Sequence, residues 1–364
     1  LRMSRGLGDV YKRQGYSGLC VAICMTMSLS FCSCEDWTDV ESLDIHTPSL
    51  EEQNPQLYAD YLKDLNIYKA SEHKLTIVSV ENVADPSKQA ERLSALPDSI
   101  DYISLNNPDK LSGNMLDEIR IVREKGTKVV YSIDFSKFEE EWKEMKKANP
   151  DLTEEEGRAY LDKRTDEMLA LADNYDGIIA DYTGRSLVSL KGEELEVYTS
   201  RQTNFLNKLK EWKQASDKSL FFYTNVQYLT AENMGIIGLA DYIILKTALS
   251  TNGDDLSVKA LLAVQAGEDA KELYEGTNPV PADRFIACVQ LPQPDDKNQV
   301  IGYWNTVDSE GNKTLATQGA AWWNVQASTG FERKGMFVMN VQDDYYNNTF
   351  SSIREVISIM NPSK

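Results

Sequence analysis

Among 364 residues there are two histidines, His46 and His73, and both precede the first β-rich run at Lys74. A core built after that point receives no imidazole. Ser-His-Asp or Cys-His nucleophiles, histidine-rich metal sites and a histidine base are therefore disfavoured, leaving carboxylates, Lys, Tyr and amides to do any chemistry. The most informative carboxylates stand in Tyr175-Asp176-Gly177-Ile178-Ile179-Ala180-Asp181-Tyr182-Thr183-Gly184. Read as a strand, this run sends Ile179, Asp181 and Thr183 to one side. Other β-rich runs end on polar residues: Asp134, Asn225 with Gln227, Lys246, Gln290, and Asn340 with Gln342. Each amide among them offers a donor and an acceptor together.

These side chains need elements to hold them, and from Lys74 onward short β-rich runs alternate with long helical stretches. That alternation predicts βα units around a parallel sheet. The predicted strands are 74–80, 100–105, 127–133, 177–182, 220–226, 241–246, 284–291 and 335–341. Helical segments fall at 115–124, 138–171, 194–212, 256–266, 320–327 and 353–360. Eight strands, each followed by a helix-length segment, predict a closed (β/α)8 TIM barrel rather than an open doubly wound sheet. No G-x-G-x-x-G opens a helix, so a dinucleotide fold lacks its main support. The polar strand ends would then share the carboxyl face of the barrel, where such folds carry their sites. Before the barrel, Pro55 to Lys69 sets Leu57, Tyr61, Leu65 and Tyr68 at helical spacing behind a proline, predicting a packed N-terminal helix after a tether.

The run from Asp176 to Thr183 resembles the fourth-strand motif of glycoside hydrolase family 18, D-G-x-D-x-D-x-E. Asp176 and Gly177 match its opening, Ile179 replaces the second aspartate, Asp181 matches the third, and Thr183 stands where the family has its glutamate. In that family the glutamate protonates the glycosidic oxygen, while the aspartate before it orients the substrate's 2-acetamido group. A threonine hydroxyl cannot act as that acid near neutral pH. The resemblance implies a noncatalytic barrel whose Asp181 still accepts an N-acetyl group, recognising N-acetylglucosamine-containing oligosaccharides such as N-glycans. An endo-β-N-acetylglucosaminidase using a displaced acid, Asp134, Asp343 or Asp344, is the alternative, and an assembly scaffold a third reading. Sugar rings stack on aromatic faces, which makes Trp304, Tyr303 and Tyr182 expected platforms. Trp322 and Trp323, in a helix-like segment, are expected to pack on the barrel wall.

At the other end of the chain, Leu19 to Leu29 is apolar but too short to span a bilayer. It leads into Ser33-Cys34-Glu35-Asp36, which resembles a lipobox followed by the acidic export signal of Bacteroidetes surface lipoproteins. Residues 15–33 are expected to be a lipoprotein signal peptide and Cys34 the lipidated residue. Residues 1–14 read as a sequencing-adapter artefact and are set aside, 34–71 as tether and helix, and 72–364 as the barrel. The expected location is the cell surface, lipid-anchored in the outer membrane, with outer-membrane glycan importer components and glycosidases as partners. Removal of the leader and lipidation leave Cys288 as the one free thiol, with no intramolecular disulfide. The composition, 41% apolar and 26% charged with a formal net charge of −19, describes a globular chain that repels nucleic acid and anionic lipid. No cofactor and no metal ligand set is expected.

Overall fold

In the computed structural model, residues 50–293 and 295–362 are described. The expected adapter residues, signal peptide and Cys34 lie outside them. The chain divides into two units, 1–53 and 54–364. Of the first, only one helical turn, α1 (Leu50–Gln53), is described.

The second unit begins with α2 (Pro55–Ala70), whose Asn54 cap accepts the Leu57 N–H. The α2 helix packs less than its spacing predicted. Leu65 is buried, but Leu57 is 64% exposed and Tyr61 also faces solvent. Polar anchors replace the missing apolar contacts. Lys69 Nζ donates to Ile100 O at 2.6 Å, and His73 Nε2 meets Asp101 Oδ1 at 2.8 Å.

Ten strands follow among the described residues: β1 (Leu75–Val80), β2 (Tyr102–Leu105), β3 (Lys128–Asp134), β4 (Gly177–Tyr182), β5 (Ser219–Thr224), β6 (Tyr242–Leu245), β7 (Phe285–Gln290), β8 (Tyr303–Val307), β9 (Lys313–Leu315) and β10 (Arg333–Met339). All but β8 and β9 form one closed parallel barrel in which β10 pairs back onto β1. This is the (β/α)8 barrel that the sequence predicted. The short antiparallel β8–β9 hairpin, in the β7–β10 connection, was not anticipated.

Strand alternation separates two apolar cores. Inside the barrel, Ile77, Val130, Ile179, Phe221, Ile244, Ile286 and Cys288 fill the lumen. Outside it, neighbours such as Val78, Val129, Ile178, Phe222, Ile243 and Ala287 pack under the helices. Those helices are α3 (Gly113–Glu124), α4 (Phe135–Ala148), α5 (Glu154–Leu169), α6 (Glu193–Gln214), α7 (Gly253–Ala270), α8 (Ala316–Val325) and α9 (Ser351–Met360). The predicted segment 138–171 is a helix pair, restarted by a Thr153/Glu156 capping box. The helix-length segments after β1 and β5 hold 3-10 helices, at 89–91, 93–95, 226–228 and 231–239.

Half of the informative motif turns out to be structural. Asp176 Oδ2 accepts from Val129 N at 2.8 Å and from Arg123 Nε at 2.9 Å, tying β4 to β3 at the amino end of the barrel. The device repeats. Asp101 accepts from Thr76 N and Asp241 from Leu220 N, both at 2.8 Å. Gly177 is required by contact, because a Cβ there would lie 2.3 Å from Ser219 O.

Candidate functional site

At the carboxyl end of the barrel, Asp181 is the penultimate residue of β4, in register with Asp134 of β3 on one side and Tyr223 of β5 on the other. All three point into the mouth, because two residues below Asp181 lies the lumen residue Ile179. Lys246, immediately after β6, reaches across and donates to Asp181 Oδ1. Its ammonium also sits 3.5 Å from the centroid of the Tyr223 ring, a cation–π contact from above. Tyr223 in turn is held by a hydrogen bond from Cys288 Sγ to its hydroxyl at 3.4 Å. Burial pushes the Asp181 carboxyl up to about 6, although Lys246 pulls it down, and Asp134 adds to the rise. Burial likewise pushes the Cys288 thiol up to about 12, leaving it neutral.

Two cavities flank this ion pair and share Tyr223 and Met339. One, of about 560 Å³, is lined by Ser79, Ser104 and Ser132 at the ends of β1 to β3, by Asn106 and Asn107, and by Asp134, Arg164 and Asp181. The other, of about 540 Å³, is lined by Lys246, Leu249, Ser250, Asp255, Lys259 and Gln290. The mouth is thus rich in hydroxyls and amides around one buried charge pair. The Ser104 hydroxyl is buried without a protein partner.

The predicted site residues divide. Asp181, Asp134 and Gln290 line the mouth. Asp134 also caps α4, accepting from Ser136 N and Lys137 N. Asn340, in a left-handed conformation, donates its backbone N–H to Ser79 Oγ at 2.8 Å, and Gln342 Oε1 accepts from Glu81 N at 3.3 Å. Asn225 Nδ2 donates to Thr183 O at 3.3 Å, bridging the β4 and β5 loops. Thr183 itself is exposed beyond the end of β4. Gln227 sits in the 3-10 turn after β5 and lines neither cavity.

Two expected platforms are ruled out. Tyr182, 3% exposed, faces outward between the rings of Phe135 and Phe205, with its hydroxyl accepting from Gln202 Nε2. Trp304, 6% exposed, packs so closely on Gly319 that a Cβ there would meet its ring at 2.3 Å. Tyr303 lines a separate cavity of about 500 Å³ with Asp343 and Asp344. That placement takes Asp343 and Asp344 away from the mouth. Asp344 also accepts from Ile353 N at 3.0 Å, a structural use. Trp323 is buried as expected and donates to Ser257 Oγ at 2.9 Å. Trp322 is 58% exposed, against expectation.

Sequence reasoning missed Tyr223 and the three serines, although the alternation that exposed Asp181 also predicts Tyr223 to face inward. Among the described residues, no group of three or more His, Cys, Asp or Glu is arranged to hold a metal ion. No described helix is long and apolar enough to cross a membrane.

The family model for glycoside hydrolase family 18, BT1044-like, matches residues 38–359. The chain belongs to glycoside hydrolase family 18. Its fold is similar to that of BT1044, solved as a selenomethionine-labelled variant, with a TM-score of 0.55 and 16% identity over 86% of this chain and 96% of that one. A family 18 chitinase from Pseudoalteromonas aurantia matches at a TM-score of 0.47 and 14% identity, covering 78% of this chain and 99% of its own. An Ostrinia furnacalis group IV chitinase matches at 0.44 and 11%, covering 79% and 99%. No curated protein sequence matches.

Proposed function

We propose that this family 18 protein is a noncatalytic, cell-surface lipoprotein that binds N-acetylglucosamine-containing glycans and presents them to partner glycosidases and an outer-membrane importer. The observation that carries the reading is at the end of β4. Asp181 is tied to Lys246, and the next residue on that side, where the family places its acid, is the exposed Thr183. General-acid catalysis is worth roughly 10²- to 10⁴-fold, and threonine supplies none of it. The polar mouth, by contrast, suits hydroxyl-rich rings. Lipidation at Cys34 and surface display follow from the sequence pattern alone.

A second reading is favoured by one feature. Asp134 and Asp181 are adjacent across β3 and β4, and burial pushes the Asp181 carboxyl up to about 6, so the mouth holds a carboxyl that takes up a proton more readily than a free aspartate. In this reading the protein is an endo-β-N-acetylglucosaminidase with a displaced acid. One experiment separates the two: the purified chain is incubated with a high-mannose glycoprotein and with chitooligosaccharides, and binding is measured on a glycan array. Binding without released sugar is expected. Turnover that disappears on Asp181→Asn would establish the enzyme instead.

A further inference from the structure

Lys246 is a costly residue to place at the centre of a sugar-binding mouth. Its side chain is largely buried, and a buried ammonium requires a partner. It has two, the Tyr223 ring below and the Asp181 carboxylate beside it. The ring cannot yield, because Tyr223 lies in the lumen core against Phe337 and its hydroxyl is fixed by Cys288. The cation is therefore held in place from inside the barrel, and it satisfies an oxygen of Asp181 without any ligand.

We propose that Lys246 is a specificity-determining residue of the mouth, an internal competitor whose ammonium takes Oδ1 of Asp181 and leaves a ligand N–H only the remaining acceptor capacity of that carboxylate. This rests on the glycan-binding reading above. An amide-bearing sugar must either settle for the other carboxylate oxygen or displace a charge-assisted hydrogen bond from Oδ1, and such bonds are the strong ones. Sugars that offer only hydroxyls to the serines and amides around the mouth meet no such cost. The resting protein thus discriminates weakly between a 2-acetamido and a 2-hydroxyl sugar at its centre. Lys246 sets that balance.

The test uses the full chain and two probes that share a β-1,4-linked backbone. Chitotetraose carries acetamido groups where cellotetraose carries hydroxyls. Isothermal titration is run at alkaline pH, so that Asp181 is ionised with or without Lys246, on wild type, Lys246→Met and Lys246→Gln, with circular dichroism to check folding; the glutamine variant keeps a polar head should methionine prove too disruptive. Lys246→Met is expected to bind chitotetraose at least about tenfold tighter than wild type, the scale of one hydrogen bond to a charged group, with Lys246→Gln, whose neutral amide is a weaker competitor for Asp181, tighter than wild type by a smaller factor and cellotetraose affinity unchanged. The gain must vanish when Asp181→Ala is added. Folded variants that bind chitotetraose no tighter than wild type would overturn the inference and leave the glycan-binding reading standing. Failure of every form to bind either sugar overturns both.

Discussion

Replacing Lys246 with Met removes the cation beside a carboxyl that burial already disfavours. In the folded protein Asp181 is raised from its ordinary 3.8 to about 6. A carboxyl raised in this way gives its full stabilising effect below about pH 4 and loses it as pH rises through the folded value. At about 1.4 kcal/mol per unit, the wild-type loss is about 3 kcal/mol and is complete just above pH 6. Lys246 is what stops the loss there, since it is the group pulling the carboxyl down. Without it the folded value moves higher, and the variant keeps losing stability where the wild type has levelled off. Urea unfolding should therefore show a small deficit for Lys246→Met at about pH 5, where both proteins carry a protonated Asp181, growing by about 2 kcal/mol toward pH 7.5. The total should not exceed the roughly 3–5 kcal/mol typical of breaking a buried ion pair. Adding Asp181→Asn should flatten the pH dependence. An equal deficit at both pH values would refute the coupling of the two side chains.

Trp304→Ala should lower stability by about 3–5 kcal/mol, the usual range for emptying a buried tryptophan site, and leave glycan affinity unchanged in titrations. A loss of binding in a still-folded variant would return Trp304 to the ligand site. Cys34→Ala should release the protein from the membrane fraction, and protease shaving of intact cells should remove the wild type; a protected wild type would contradict surface display. Glycan affinity should change little between low and high salt, because a neutral sugar displaces no condensed counterions. A steep salt dependence would point to an anionic ligand.

What could be read from the sequence was whatever depends on period. A period of two placed Ile179 and Asp181 on the inner side of β4, and the same rule should have sent Tyr182 outward, to Phe135 and Phe205. Treating Tyr182 as a platform set proximity to the motif above direction. Other errors had no local signal. Trp304 looked available because it lies in a long Gly- and Asn-containing connection, and its burial comes from two glycines, Gly253 and Gly319, brought together only by folding. The β8–β9 hairpin is five residues paired with three and has no clear alternation. Asp176 looked like half of a catalytic signature, yet its carboxylate is spent on a strand N–H and Arg123. Lys246 is the deepest case. Its position at the end of a strand was visible, but its partner lies 65 residues away on β4, and no spacing rule relates the two. The motif alone presents Asp181 as a free acceptor; the fold answers it with a lysine. An altered catalytic residue such as Thr183 can be read along one strand. Whether the surviving aspartate is still open to a ligand depends on what the neighbouring strands bring to it.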